Sequence, residues 1–353
     1  MTPILRTALA LVALCIPALG ANAQRSFTVG TVTAAPGQKA TGFIDVPSGV
    51  DAALQIPVVV VNGAKPGPVL SIVAGSHGTE YATIIAVERL IHELDPAEIS
   101  GTVILVPLVN VNSFLQKVPH LNPVDGKNMN RMFPGKPDGT QTDRASWLIT
   151  KYVVEQSDYL IDMHGGDLDE NLRPYSYWPQ TGNPKLDSVT REMVLAFGLD
   201  NIIIFDDRPT DPNNSRYLDN TAITRGKPAI IVEAGYAGNV DTDDVNRILR
   251  GCIGVMRDRK MLPGVVTPVE NPVWYSQVVT LTSEQNGIFY PVVKRATYVQ
   301  QGMRIGYVTD FFGNRIEDVR ATVSGVVLFI CAVPSMKKGD NLIDIGVVAA
   351  KAP

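Results

Sequence analysis

Four histidines occur in the 353 residues, His77, His92, His120 and His164, so every imidazole-based site can be enumerated. His77 and Glu80 stand three apart in Gly75-Ser-His77-Gly-Thr-Glu80, between a strand-like run and a helix-like stretch. At a helix start, positions i and i+3 are surface neighbours and can face one point. An imidazole and a carboxylate so placed suit a divalent metal, although His-x-x-Glu alone is a weak pattern. A second imidazole closes the apolar run Leu160-Ile-Asp162-Met-His164-Gly-Gly. The plain reading is a loop histidine bonded to its neighbours. Yet both histidines fall where a strand gives way to its loop, the edge at which open α/β sheets bind ligands. Two histidines and one carboxylate form a standard catalytic zinc set that leaves a position open for water. Asp162 either orients the His164 imidazole from behind or caps the loop.

Glu233 ends the β-branched run Ala229-Ile-Ile-Val-Glu233-Ala-Gly-Tyr236. A carboxylate there is expensive to bury unpartnered. At the same sheet edge it suits a general base acting on water beside a metal, the alternative being a solvated strand-end glutamate. Asn130 and Arg131, in Asp125-Gly-Lys-Asn128-Met-Asn130-Arg131-Met-Phe133-Pro-Gly135, offer an amide and a planar fork that match a substrate carboxylate. A loop rich in Asn, Asp and Gly also holds itself together by its own hydrogen bonds.

These residues need a frame. Val69–Ala74, Thr102–Val109, Tyr159–Met163, Ile202–Phe205 and Ala229–Val232 read as apolar strands. The stretch from Glu80 to Leu94 carries Ile84, Ile85, Val87, Leu90 and Ile91 at helical spacing. Continuously apolar strands separated by helices predict an α/β domain over residues 50–262, with a mostly parallel sheet covered on both faces. Residues 24–49 read as an N-terminal β segment and the Pro-rich stretch 263–272 as a linker. Residues 273–353 read as a small all-β, barrel-sandwich-like domain in which the half beginning at Gly287 echoes the one beginning at Gly325. A carrier role for Lys337 or Lys338 lacks a second flanking methionine.

Residues 1–23 combine Arg6, an apolar run from Thr7 to Leu19 and Ala21-Asn-Ala23, the pattern of a signal peptide. The expectation is an exported protein, periplasmic or extracellular, with no integral membrane segment after cleavage. Cys252 and Cys331 would then either pair or stay buried in an oxidising compartment. Lys+Arg 31 against Asp+Glu 35 leaves no positive excess for a nucleic-acid backbone.

His77-x-x-Glu80, Asn130-Arg131-x-Phe133-Pro-Gly135, Asp162-x-His164-Gly-Gly and Glu233-Ala-Gly, in this order, resemble the succinylglutamate desuccinylase/aspartoacylase family, related to the zinc carboxypeptidases. The resemblance covers about residues 50–262, and the appended β domain is similar to what such deacylases carry. It implies one zinc ion held by His77, Glu80 and His164, with Glu233 as base and Asn130 and Arg131 binding a substrate carboxylate. The family often has a further arginine upstream that polarises the scissile carbonyl. Here Gln116-Lys117-Val-Pro-His120-Leu-Asn-Pro123 contains none, leaving Lys117 or His120 as stand-ins. Asp167, Glu170, Asn171 and Arg173 either line the pocket or form a solvated loop.

The expected activity is zinc-dependent hydrolysis of an amide or ester in a small, carboxylate-bearing N-acylated amino acid. The alternatives are a secreted zinc carboxypeptidase acting on peptides or cell-wall fragments, and a non-catalytic binding protein on the same fold. The sequence leaves a homo-oligomer open.

Overall fold

The computed structural model describes residues 24–353; the signal-peptide reading of residues 1–23 lies outside them. The strands and helices that position the site are, in chain order, β1 (Gln38–Val46), β2 (Leu54–Asn62), β3 (Lys65–Ala74), α1 (Tyr81–Glu93), β4 (Ser100–Val106), β5 (Tyr159–His164), β6 (Glu170–Leu172), β7 (Tyr175–Pro179), α2 (Pro184–Phe197), β8 (Asn201–Phe205), α3 (Leu218–Ile223), β9 (Ala229–Glu233), α4 (Thr242–Asp258), β10 (Val273–Thr282), β11 (Gly325–Cys331) and β12 (Asn341–Val348).

Side chains of a strand alternate between its two faces, and here both faces are covered. On β5, Ile161 and Met163 enter a core shared with α1, α2 and α4, while Leu160 enters a second core on the opposite face. Each of these fully buried side chains contributes roughly 1.5–3 kcal/mol. Asp162 and His164 share the face of Leu160, so the alternation that packs β5 also aims both polar groups the same way.

Of the expected mostly parallel arrangement, parallel pairing is met in two blocks, one at the centre of the sheet and one in β7, β8 and β10. β9, β5, β3 and β4 are neighbours and run parallel. β7 is antiparallel to β9, and β1, β2 and β4 pair antiparallel. The sheet is therefore mixed. It also continues past residues 263–272, because β10 pairs in parallel with β8 and β12 then pairs with β10.

The C-terminal region is β-rich, with a second sheet formed by Arg315–Arg320, Arg304–Thr309, Gly287–Pro291 and Ser335–Met336. Its core draws in Leu172, Tyr175 and Ile203 from the α/β part. Cys252 packs in the helical core and Cys331 in this one, both buried and free, so they do not pair. No helix among the described residues is long and apolar enough to cross a membrane.

Candidate active site

β3 ends in a turn at Gly75, whose φ of +70° favours glycine. The chain then reverses into α1 with Glu80 at the N-cap. Gly78 is required for a different reason: a Cβ there would lie 2.3 Å from the Phe114 backbone nitrogen. The turn brings His77 Nδ1 to 2.7 Å from Glu80 Oε1. From the end of β5, His164 Nδ1 lies 3.1 Å from Glu80 Oε2. All three side chains are buried.

Each imidazole is held from behind. His77 Nε2 lies 3.1 Å from Asn128 Oδ1, and His164 Nε2 lies 3.0 Å from Asp162 Oδ1 and 3.0 Å from Asn130 Nδ2. Asn130 Oδ1 in turn accepts from Leu218 N at 2.9 Å. Both ring nitrogens of His77 thus face acceptor oxygens. With Nε2–H donating to Asn128, the Nδ1 lone pair is left for a cation. The arrangement of donors, a fixed outer nitrogen and an inner one turned to a carboxylate, is that of metal-ligating histidines.

Electrostatics point the same way. Burial pushes the Glu80 carboxyl up, but His164 and His77 hold it far below the usual carboxylate range. Burial opposes charge on His164, yet Asp162 and Glu80 raise its pKa well above the ordinary value. This pocket stabilises positive charge. His77, Glu80 and His164 offer ligand atoms mutually within 4.8 Å, and so do His77, His120 and Asp167.

Glu233 is reached through sheet register, since Glu233 on β9 is paired with His164 on β5. The two backbones cross closely just beyond. Gly165 and Gly166 have positive φ, and a Cβ on them would lie 2.4 Å from Ala234 N and 2.5 Å from the Gly235 carbonyl carbon. That contact accounts for the paired motifs His164-Gly-Gly and Glu233-Ala-Gly. Burial first, then the Glu80 and Glu170 carboxylates, push the Glu233 carboxyl well above its normal pKa, against the opposing His164 charge. Glu170 is likewise pushed up to about 8 by burial and by Glu80.

The two stand-ins for the absent arginine separate. Lys117 is exposed at the left-handed end of a short helix, Val111–Gln116, and among the described residues no side-chain hydrogen bond or ion pair ties it to the cluster. His120 is brought in. Its ring stands edge-on to His77 with centroids 5.6 Å apart. Asp169 Oδ1 lies 2.9 Å from Nε2 and Asp167 Oδ2 lies 3.2 Å from Nδ1. Burial lowers the His120 pKa, but Asp169, Asp167 and Glu170 together raise it to about 9.

Asp167 also accepts from the Thr79 hydroxyl, and Glu170 Oε2 accepts from Asp167 N at 3.0 Å. Arg173 turns away, to Asp200 at 2.6 Å. Asn171 sits in the short strand β6 that pairs with β11.

Arg131 is exposed, with its guanidinium carbon 4.8 Å from the Tyr217 ring centroid. Sequence reasoning did not single out its companions. Arg208 lies 3.7 Å over the same ring and Arg216 lies 5.8 Å from it. None of the three has a carboxylate at ion-pair distance among the described residues. Reciprocal backbone bonds between Phe133 and Arg216 clamp the two loops together. Asn128, within a motif already quoted, was also passed over.

Residues 66–259 match the profile of the succinylglutamate desuccinylase/aspartoacylase catalytic domain. The N-alpha-acetyl-L-2,4-diaminobutyric acid deacetylase of Halomonas elongata is 27% identical over 312 residues, covering 85% of this chain and 89% of that protein. A succinylglutamate desuccinylase from Silicibacter sp. TM1040 superposes with a TM-score of 0.79 at 23% identity, over 88% of this chain and 95% of its own. The product-bound ectoine utilization protein EutE (DoeB) of Ruegeria pomeroyi has a TM-score of 0.79 at 22% identity, with the same coverages. These two structural likenesses are likenesses of fold.

Proposed function

Since the chain belongs to the succinylglutamate desuccinylase/aspartoacylase family, we propose that it is a zinc-dependent deacylase that hydrolyses the amide of a small N-acylated amino acid. The observation that carries this reading is the convergence of His77 Nδ1 and His164 Nδ1 on the two oxygens of Glu80, with Glu233 beside His164 in the adjacent strand. His77, Glu80 and His164 would hold the ion. Zinc so held would supply Lewis acidity, lowering the pKa of water from about 15.7 towards about 7 and polarising a carbonyl.

The remaining work falls to the chain. Burial and neighbouring carboxylates push the Glu233 carboxyl up, and a dication held in the cluster would offset both and favour the ionised carboxylate. As general base it takes a proton from the attacking water, then returns it to the leaving nitrogen as the C–N bond breaks. His120 holds a positive charge beside His77, where it stabilises the developing oxyanion through the field. Asp162 and Asn128 fix the orientation of the two imidazoles. Arg131 binds the substrate carboxylate, assisted by Arg208 and Arg216, while Asn130 anchors that loop to His164 and Leu218. The export signal read at residues 1–23 would place this activity outside the cytoplasm.

The test is hydrolysis of a panel of N-acyl amino acids, N-acetyl-L-2,4-diaminobutyrate included, by wild-type protein and by Glu233→Gln. Release of free amino acid by the first and its loss in the second support the reading. Turnover unchanged by the substitution, or absent in the zinc-loaded wild type across the panel, would overturn it.

A further inference from the structure

Far from the histidine cluster, α4 presents Arg247, Arg250 and Arg257 at intervals of three and seven residues, with Gly254 between the last two. Such spacing places them on one helix face. They line a cavity of about 480 Å³ whose other walls are the C-terminal end of α2 at Phe197 and Gly198 and the end of α1 at Glu93, the one carboxylate in its lining. A second cavity, of about 490 Å³, adjoins it through Arg257 and adds Lys65 and Lys260 against one carboxylate, Glu98, so that cations outnumber carboxylates along both. Lys65 begins β3, so this groove lies at the opposite edge of the sheet from His77.

Ordinary structural duties explain only part of this arrangement. Arg257 lies in the last turn of α4, where a cation complements the helix dipole. Gly254 lets the helices touch, since a Cβ there would lie 2.2 Å from the Ala196 carbonyl oxygen. Neither reason calls for Arg247 or Arg250. Elsewhere on the same helix end, Arg259 is neutralised by Glu192 and Asp258, each at 2.5 Å. Arg250 and Arg257 have no ion pair among the described residues. Arg247 reaches Asp244 only at 4.0 Å, and its Nε is buried without a hydrogen-bond partner. Arg257 is held in place by Nε donating to the Pro263 carbonyl at 3.3 Å. It passes over Gly264, where a Cβ would lie 2.7 Å from that nitrogen.

Arg250 and Arg257 therefore offer guanidinium donors to the groove with no paired carboxylate, and Arg247 adds a third whose Asp244 partner is distant. Arg247 and Arg257 are ten positions apart, about 15 Å along a helix axis, which no single oxyanion spans. We propose that this groove binds a linear polyanion carrying repeated sulfate groups, each group taken by a planar guanidinium fork. The site is independent of the hydrolytic reading.

A heparin-derived tetrasaccharide, with inorganic sulfate as the single-anion control, tests it by isothermal titration calorimetry on the zinc-loaded full-length protein. Expected are one tetrasaccharide per chain, at least tenfold tighter than sulfate, weakening as salt rises. Arg250→Ser/Arg257→Ser should weaken it at least tenfold while retaining the wild-type circular dichroism spectrum. Arg131→Gln should leave it unchanged. Tetrasaccharide binding no tighter than sulfate, or lost in Arg131→Gln but kept in the double variant, would overturn the proposal.

Discussion

Oε2 of Glu80 lies 3.1 Å from Nδ1 of His164 across 84 positions of chain, tying the loop after β3 to the end of β5. If the two share an ion, His164→Ala should retain less than about a tenth of an equivalent of zinc after dialysis, because even outer partners of metal ligands are worth roughly 10–100-fold in affinity. Metal bound to the folded state also stabilises it. A chelator should therefore lower the melting temperature of the wild type and leave that of His164→Ala unmoved. One full equivalent of zinc in the variant would remove His164 from the ligand set.

Glu233→Gln preserves shape and hydrogen-bonding reach while abolishing basicity. The expected result is a kcat lowered by about 10²–10⁴, the range for a positioned acid–base group, with KM little changed. The fold should survive, since burial already favours an uncharged group at this position. Steady-state kinetics beside circular dichroism checks both halves, and an undiminished kcat excludes Glu233 as base.

Much of the central cluster was legible because each of its members closes or follows an apolar run, a local signal that survives in one dimension. His77, Glu80, His164 and Glu233 all belong to that class. His120 was within reach because there are only four histidines, but its holders Asp167 and Asp169 come from 47 and 49 positions away with no periodicity to announce them. Arg208, Arg216 and Tyr217 lie in a stretch rich in Asp, Asn and Pro, which reads as turns. Strand direction was not legible either, since an apolar alternation is the same read up or down a sheet. The strand Tyr175–Pro179 is short and flanked by Pro174, a texture that mimics a loop.

The proposal that His120 takes the place of the family's arginine rests on its edge against His77, with ring centroids 5.6 Å apart. If its charge serves the oxyanion, His120→Ala should lower kcat/KM by about 10²–10³, comparable to losing an oxyanion donor. His120→Arg, which restores a cation, should recover at least tenfold of that loss. Wild-type kcat/KM in the alanine variant would reduce His120 to a structural ion pair.

In the proposed function the three arginines around Tyr217 act on binding rather than on bond breaking. Arg208→Gln should raise KM about tenfold for a carboxylate-bearing substrate, equivalent to about 1.4 kcal/mol, with kcat preserved. An N-acyl amine lacking the carboxylate should show no change. A loss of kcat with constant KM, or equal effects on both substrates, would place Arg208 in another role.

Asp344 on β12 carries a pH dependence of its own. Burial pushes its carboxyl up to about 6 against an opposing hydrogen bond from Thr280, and its Oδ1 is buried without a partner. The unfolded chain releases this proton near pH 4. Between about 4 and 6 the folded state therefore binds more protons than the unfolded one, so stability falls as pH rises through that window and levels off above it. The full shift of about two units corresponds to roughly 3 kcal/mol, and partial solvent access reduces it to about 1 kcal/mol. Asp344→Asn removes the buried charge at nearly constant volume. Urea unfolding should find the variant more stable than the wild type at pH 7 by about that amount, and indistinguishable from it at pH 3.5. A variant less stable at pH 7 would mean that the Asp344 carboxylate gains more from Thr280 than it loses by burial.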